Sequence, residues 1–163
     1  MNILSAVPGY PATTPSLDHS ACIFAAGELL WLRLEQGHPI SAAQLRHAME
    51  TAFGASDATG AWNWKLAYEA CETATVLFLR KYGTAIFRKA ATPTARLAAL
   101  TKILGLLPTH TRRSEESQAL QQFSTPVPLG LAALTAAAIK PGDRVLEPSA
   151  GTGLLAILAQ LAG

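Results

Sequence analysis

Apolar residues recur at three- and four-residue spacing over most of this chain, the pattern of helices that each bury one stripe. Ile23, Ala26, Leu30 and Leu34 predict a first helix over 17–36, capped by Ser16 and stopped at Gly37. Beyond Pro39, Ser41 opens a second helix that runs through Leu45, Ala48, Met49 and Ala52 to Phe53. The stretch 54–60, rich in Gly, Ser, Asp and Thr, reads as a loop. The longest helix is predicted over 61–82, with Trp62, Leu66, Glu69, Ala70, Thr73 and Leu77 along one side. Thr92 or Thr94 starts a fourth helix near Pro93, with Leu97, Leu100, Leu104 and Leu107 as its ridge and Pro108 beyond it. Helices joined by short links imply a compact bundle over residues 16–108.

The pattern changes on either side of that bundle. Residues 1–15 are uncharged and carry Pro8, Gly9, Pro11 and Pro15, so they read as a leader. Residues 109–120 are polar and read as a linker, within which Ser114 starts a short helix that ends by Phe123. Pro126 and Pro128 then precede an apolar helix over 129–139, where missing amides do little harm. Lys140-Pro141-Gly142-Asp143 is a turn, and 144–147 is the one predicted strand. A parallel strand needs neighbours for its amides and carbonyls. None is visible in the sequence, so this strand is expected to be isolated and loosely held, or to pair with another chain.

Composition supports a mainly α class. Half of the 163 residues are hydrophobic and 15% are charged, enough to build a core and too apolar for a disordered chain. Alanine and leucine outweigh valine and isoleucine, which favours helix. Cys22 and Cys71 lie far apart, without metal-ligand spacing, and read as buried thiols in a reducing compartment. The N-terminus has no basic stretch before an apolar core and no run reaches membrane-spanning length, so a cytoplasmic protein without membrane contact is expected. His19, His38, His47 and His110 show no pairing at metal-ligand spacing, and no metal site is expected.

The net charge of +2 hides an uneven distribution. Residues 1–79 carry net −4, and residues 114–163 carry net −2. Between them, Arg80, Lys81, Arg88, Lys89, Arg96, Lys102, Arg112 and Arg113 stand with no acid among them, net +8. Clustered bases without balancing acids suit phosphates, which makes DNA a candidate partner. The competing reading is a solvated helix face. Trp62, Trp64 and Tyr68 could stack on bases, but Trp62 with its flanking alanines better suits a core.

The residues that carry chemistry come late. Val145-Leu146-Glu147-Pro148-Ser149-Ala150-Gly151-Thr152-Gly153 reads as an apolar run, a carboxylate and a tight turn leading into the apolar helix 154–161. Gly151 and Gly153 let the backbone take unusual dihedrals and approach a ligand closely, and the helix behind them offers unpaired N–H groups. About twenty residues earlier stands Gln121-Gln122-Phe123-Ser124-Thr125-Pro126. In isolation, Gly151-Thr152-Gly153-Leu154-Leu155-Ala156 also fits a dinucleotide-binding fingerprint.

Phe-Ser-Thr-Pro followed by Glu-Pro-Ser-Ala-Gly-Thr-Gly resembles motifs X and I of S-adenosylmethionine-dependent DNA methyltransferases of the adenine type, over 118–163. More broadly, 60–70 and 108–125 resemble the front end of bacterial proteins that fuse such a methyltransferase to a strawberry-notch-type helicase. The resemblance implies a Rossmann-like α/β domain whose truncated start spans 121–163, and a chain that is the N-terminal part of a larger polypeptide. It implies that Gly151 and Gly153 approach the methionine carboxylate and ribose of the cofactor, and that Glu147 holds the loop or faces the methionine ammonium. Pro148, Ser149 and Ala150 would shape the turn. Phe123 would pack against the cofactor, with Ser124 and Thr125 offering hydroxyls and amides before Pro126; helix capping by Ser124 or Thr125 is compatible with that role. The family's ribose-binding acid and its Pro-Pro-Tyr-type loop have no counterpart here, so no residue takes a catalytic role and the chain alone is expected to be inactive. The other readings are a nucleic-acid-binding or interaction module of such a fusion, and a fragment of a dinucleotide-binding enzyme.

Overall fold

The computed structural model describes residues 18–109 and 125–163, and within them every regular element is a helix. The leader, the Ser16 cap, the short helix from Ser114, and Arg112, Arg113, Phe123 and Ser124 lie outside the described residues.

Helix α1 spans His19–Glu35, and its N-terminal amides are met by Asp18, whose carboxylate accepts from Ser20 N and Ala21 N. Helix α2 spans Ala42–Phe53 and opens on a reciprocal capping box: Ser41 Oγ accepts from Gln44 N while Gln44 Oε1 accepts from Ser41 N. A single 3₁₀ turn, Asp57–Thr59, interrupts the polar loop. Helix α3 spans Trp64–Lys89, seven residues beyond its expected end. Nothing in the sequence after Tyr82 breaks a helix except Gly83, and there the missing side chain makes room for a neighbour. Thr92 caps α4, Pro93–Leu104, by accepting from Ala95 N. Helix α5 spans Val127–Ala137 and α6 spans Leu154–Ala162.

Two apolar clusters hold these helices together. The first joins α1, α2 and the front of α3 through Leu30, Leu34, Leu45, Met49, Trp62 and Ala70. Gly27 lets α1 lie close on α3, since a Cβ there would meet Thr73 Cγ2 at 2.7 Å. Trp62 is a core residue, 2% exposed, with its indole N–H donated to Ala55 O. The second cluster joins Leu79 and Phe87 of α3, Leu100 and Ile103 of α4, Leu131 and Leu134 of α5, and Leu154, Ile157 and Leu158 of α6. Phe78 packs against both. The ridge of α4 is rotated from expectation: Leu100 and Ile103 are buried, while Leu97 and Leu104 face outward.

The mainly α class is what the described residues show, but the expected Rossmann-like α/β start is not. Residues 144–147 form no strand, and no sheet exists among the described residues. Val145 and Leu146 are 53% and 87% exposed, so neither face of this stretch is covered. A β-strand exists only as half of a ladder; without a paired neighbour, an apolar run following a Gly-Asp turn remains irregular.

Candidate functional site

Thr125-Pro126, the described part of the first motif, and the glycine turn stand at the same end of a helix pair. Gly130, on the first turn of α5, lies so close to α6 that a Cβ there would come within 2.9 Å of Leu158 Cδ1 and 3.1 Å of Leu155 Cδ2. At the other end, Gly163 abuts Lys140 O and Ile139, just beyond the C-terminus of α5. The N-terminal halves therefore touch each other, and so do the C-terminal ends, so α5 and α6 run parallel. This places Thr125-Pro126, at the start of α5, on the same end as the glycine turn that starts α6. Thr125 is half-buried and Pro126 exposed. Pro126 occupies the N-cap position, and no side chain caps α5, so Thr125 does not serve as a cap.

The glycine turn has a backbone that glycine favours. Gly151 has φ +52° and Gly153 has φ +93°, and a Cβ at Gly153 would meet nothing, so the requirement there is conformational rather than steric. Gly153 N donates to Ala150 O at 2.7 Å, closing the turn. The Glu147 carboxylate accepts from Ser149 N at 2.8 Å and thereby holds the start of the loop. Pro148, Ser149, Ala150 and Gly151 are exposed. Gly153 is itself the N-cap of α6 and brings no side-chain oxygen, so the first amides of that helix stay available to an acceptor. Thr152, to which the sequence assigns no role, carries a buried Oγ1 with no hydrogen-bond partner among the described residues.

The basic stretch is divided by the fold. Arg80, Lys81, Arg88 and Lys89 lie on α3, and Arg96 and Lys102 on α4. Lys81 is engaged: its Nζ lies 2.7 Å from Glu35 Oε1 and 4.7 Å from the centre of the Trp31 ring. The hydrogen bonds from Lys81 and, second, Tyr82 hold the Glu35 carboxyl below its ordinary value, and Glu35 in turn holds Lys81 above its own. Arg96 is engaged as well, donating from Nε to Ala90 O at 3.1 Å with its guanidinium over the Phe87 ring. Arg80, Arg88, Lys89 and Lys102 are exposed and take no ion-pair partner among the described residues. Lys89 and Lys102 border one shallow groove of 480 Å³ floored by Ile86, Ala98 and Ile103.

Of the two cysteines expected to be buried, Cys71 is buried and Cys22 half-buried. Burial pushes the Cys71 thiol up to about 12, which leaves almost no thiolate to react. No family model, curated protein or solved structure matches the chain.

Proposed function

We propose that this chain is the N-terminal part of an S-adenosylmethionine-dependent DNA methyltransferase of the adenine type, carrying part of the cofactor site and inactive alone. The observation that carries this reading is the convergence of the two motifs: parallel packing of α5 and α6 sets Thr125-Pro126 and Gly151–Gly153 at one end of the pair. The residues fit the group. The open backbone at Gly151 and the uncapped first amides of α6 are donors suited to a methionine carboxylate and ribose hydroxyls. When bound, the cofactor supplies an electrophilic methyl group for an exocyclic amine. The protein's own part is to hold: Glu147 fixes the loop through Ser149, Pro148 and Ala150 shape it, and Thr125 and Pro126 stand at the same end of the helix pair, with Phe123 and Ser124 preceding them in sequence.

DNA is the proposed partner of the exposed bases Arg80, Arg88, Lys89 and Lys102, with Arg112 and Arg113 following in sequence. A helicase fused in the same polypeptide and a cytoplasmic setting complete the proposal. Among the described residues no helix is long and apolar enough to cross a membrane.

Titrating the ¹⁵N-glycine-labelled chain with S-adenosylhomocysteine, and separately with NAD, tests the reading. Shifts confined to Gly151 and Gly153 with the first ligand support it. Shifts there with NAD alone would replace it with a dinucleotide site, and no shift with either removes the cofactor assignment.

A further inference from the structure

Helix α6 has nine residues, too few to be stable by itself, so the loop it starts is placed by whatever the helix packs against. Its closest approaches to its neighbours include two glycines. Near the N-terminal end of α6, Leu155 and Leu158 lie against Gly130 of α5, and Leu158 is fully buried. Near the C-terminal end, Leu161 drops into a notch on α3. Gly83 forms the floor of that notch, between Leu79 and Phe87 on the same face, one turn before and one turn after. A Cβ at Gly83 would lie 2.9 Å from Leu161 Cδ2 and 3.2 Å from Cγ, and closer still to Cδ1. Rotating the end of the leucine moves its methyls but not its Cγ, which must still give by a few tenths of an ångström, so the side chain changes rotamer or α6 shifts slightly on α3.

Two seats, three to six residues and so roughly 5–9 Å apart along the axis, fix both the position and the tilt of a short rigid rod. We infer that Gly83 and Gly130 are positioning residues for the glycine turn: the helical bundle, through α3, sets where Gly151, Thr152 and the free amides of α6 point. Gly83 touches none of these residues and acts on them only through Leu161. The bundle thereby gains a role beyond its exposed bases. The inference rests on the function proposed above only for the identity of the ligand; the seating itself does not depend on it.

Glycine-labelled full-length chain tests it, with Gly83→Ala, Leu161→Ala and the pair together. In an open helix, glycine to alanine strengthens the helix and disturbs nothing distant. Here Gly83→Ala should move the Gly151 and Gly153 amide resonances in a protein that remains helical by circular dichroism, and the added Leu161→Ala should return them toward wild type. S-adenosylhomocysteine affinity should weaken roughly tenfold in the single variant, the size of one ordinary hydrogen bond lost, and recover in the pair. If Gly83→Ala does not fold, Gly130→Ala carries the same expectation for the loop amides. Unmoved loop amides in a folded Gly83→Ala or Gly130→Ala variant, or a displacement in Gly83→Ala that the added Leu161→Ala does not reduce, overturn the inference. Amides that move in a chain whose wild type responds to neither cofactor leave the seating intact and sink only the cofactor reading.

Discussion

Sorting the bases by what already holds them leads to a quantitative expectation about DNA. Each phosphate neutralised by a lysine or arginine releases counterions, so log K falls with log salt by about 0.9 per contact. Four exposed bases, Arg80, Arg88, Lys89 and Lys102, have no ion-pair partner among the described residues, whereas Lys81 and Arg96 are committed to Glu35 and to Ala90 O. If all four reach phosphates, the slope is about −3.6, and affinity falls on the order of a hundredfold between 50 and 200 mM salt. Arg88→Gln with Lys89→Gln should flatten that slope by about 1.8. Lys81→Gln with Arg96→Gln, though it removes as much formal charge, should leave it near the wild-type value. Fluorescence anisotropy with a labelled duplex across that salt range measures all three proteins. Equal losses from both pairs would refute the argument that internal partners withdraw a base from the surface, and a flat slope in the wild type would remove the DNA footprint altogether.

Two further outcomes follow from the packing and the charges. Leu158→Ala, deep in the second cluster, should cost about 3 kcal/mol in urea unfolding followed by tryptophan emission; Trp31, Trp62 and Trp64 all report on the first cluster, so a loss under 1 kcal/mol there, or a second transition by circular dichroism, would show that the clusters unfold separately. The Glu35 tie from α1 to Lys81 and Tyr82 of α3 lowers a carboxyl pKa, so its contribution is complete above the ordinary carboxylate value and fades as pH falls through the lowered one. Glu35→Gln should therefore melt below wild type at pH 7 and converge with it in acid; a gap that persists at low pH would mean the tie works without the charge.

The helices were legible because their determinants are local. Ser41 and Thr92 announce N-termini from a few residues of sequence, and both cap their helices by side-chain bonds, whereas the expected start at 61 missed the Asn63 cap of α3. Where sequence reading slipped, the deciding partner lay elsewhere in the chain. Gly83 looks like a stop signal until Leu161, far along the sequence, is seen resting on it. The expected ridge of α4 placed Leu97 and Leu104 beside Leu100, but it is Leu100 and Ile103 that enter the second cluster while Leu97 and Leu104 are exposed. The stretch 144–147 has the composition of a strand, but a strand is a property of two segments, and no second segment faces it among the described residues.

The candidate site shows the same division. Its glycines could be read one by one, because a backbone with positive φ leaves few other choices. Its second half could not, because bringing Thr125 to the glycine turn depends on Gly130 admitting two leucines from α6. Thr152 was passed over for a related reason: a threonine between two glycines gives no hint that its hydroxyl will be shut off from solvent without a partner. Local chemistry thus gives the turn its shape, while its direction comes from small residues that admit larger ones. Substitutions that enlarge those small residues should reach the loop from helices that never touch it.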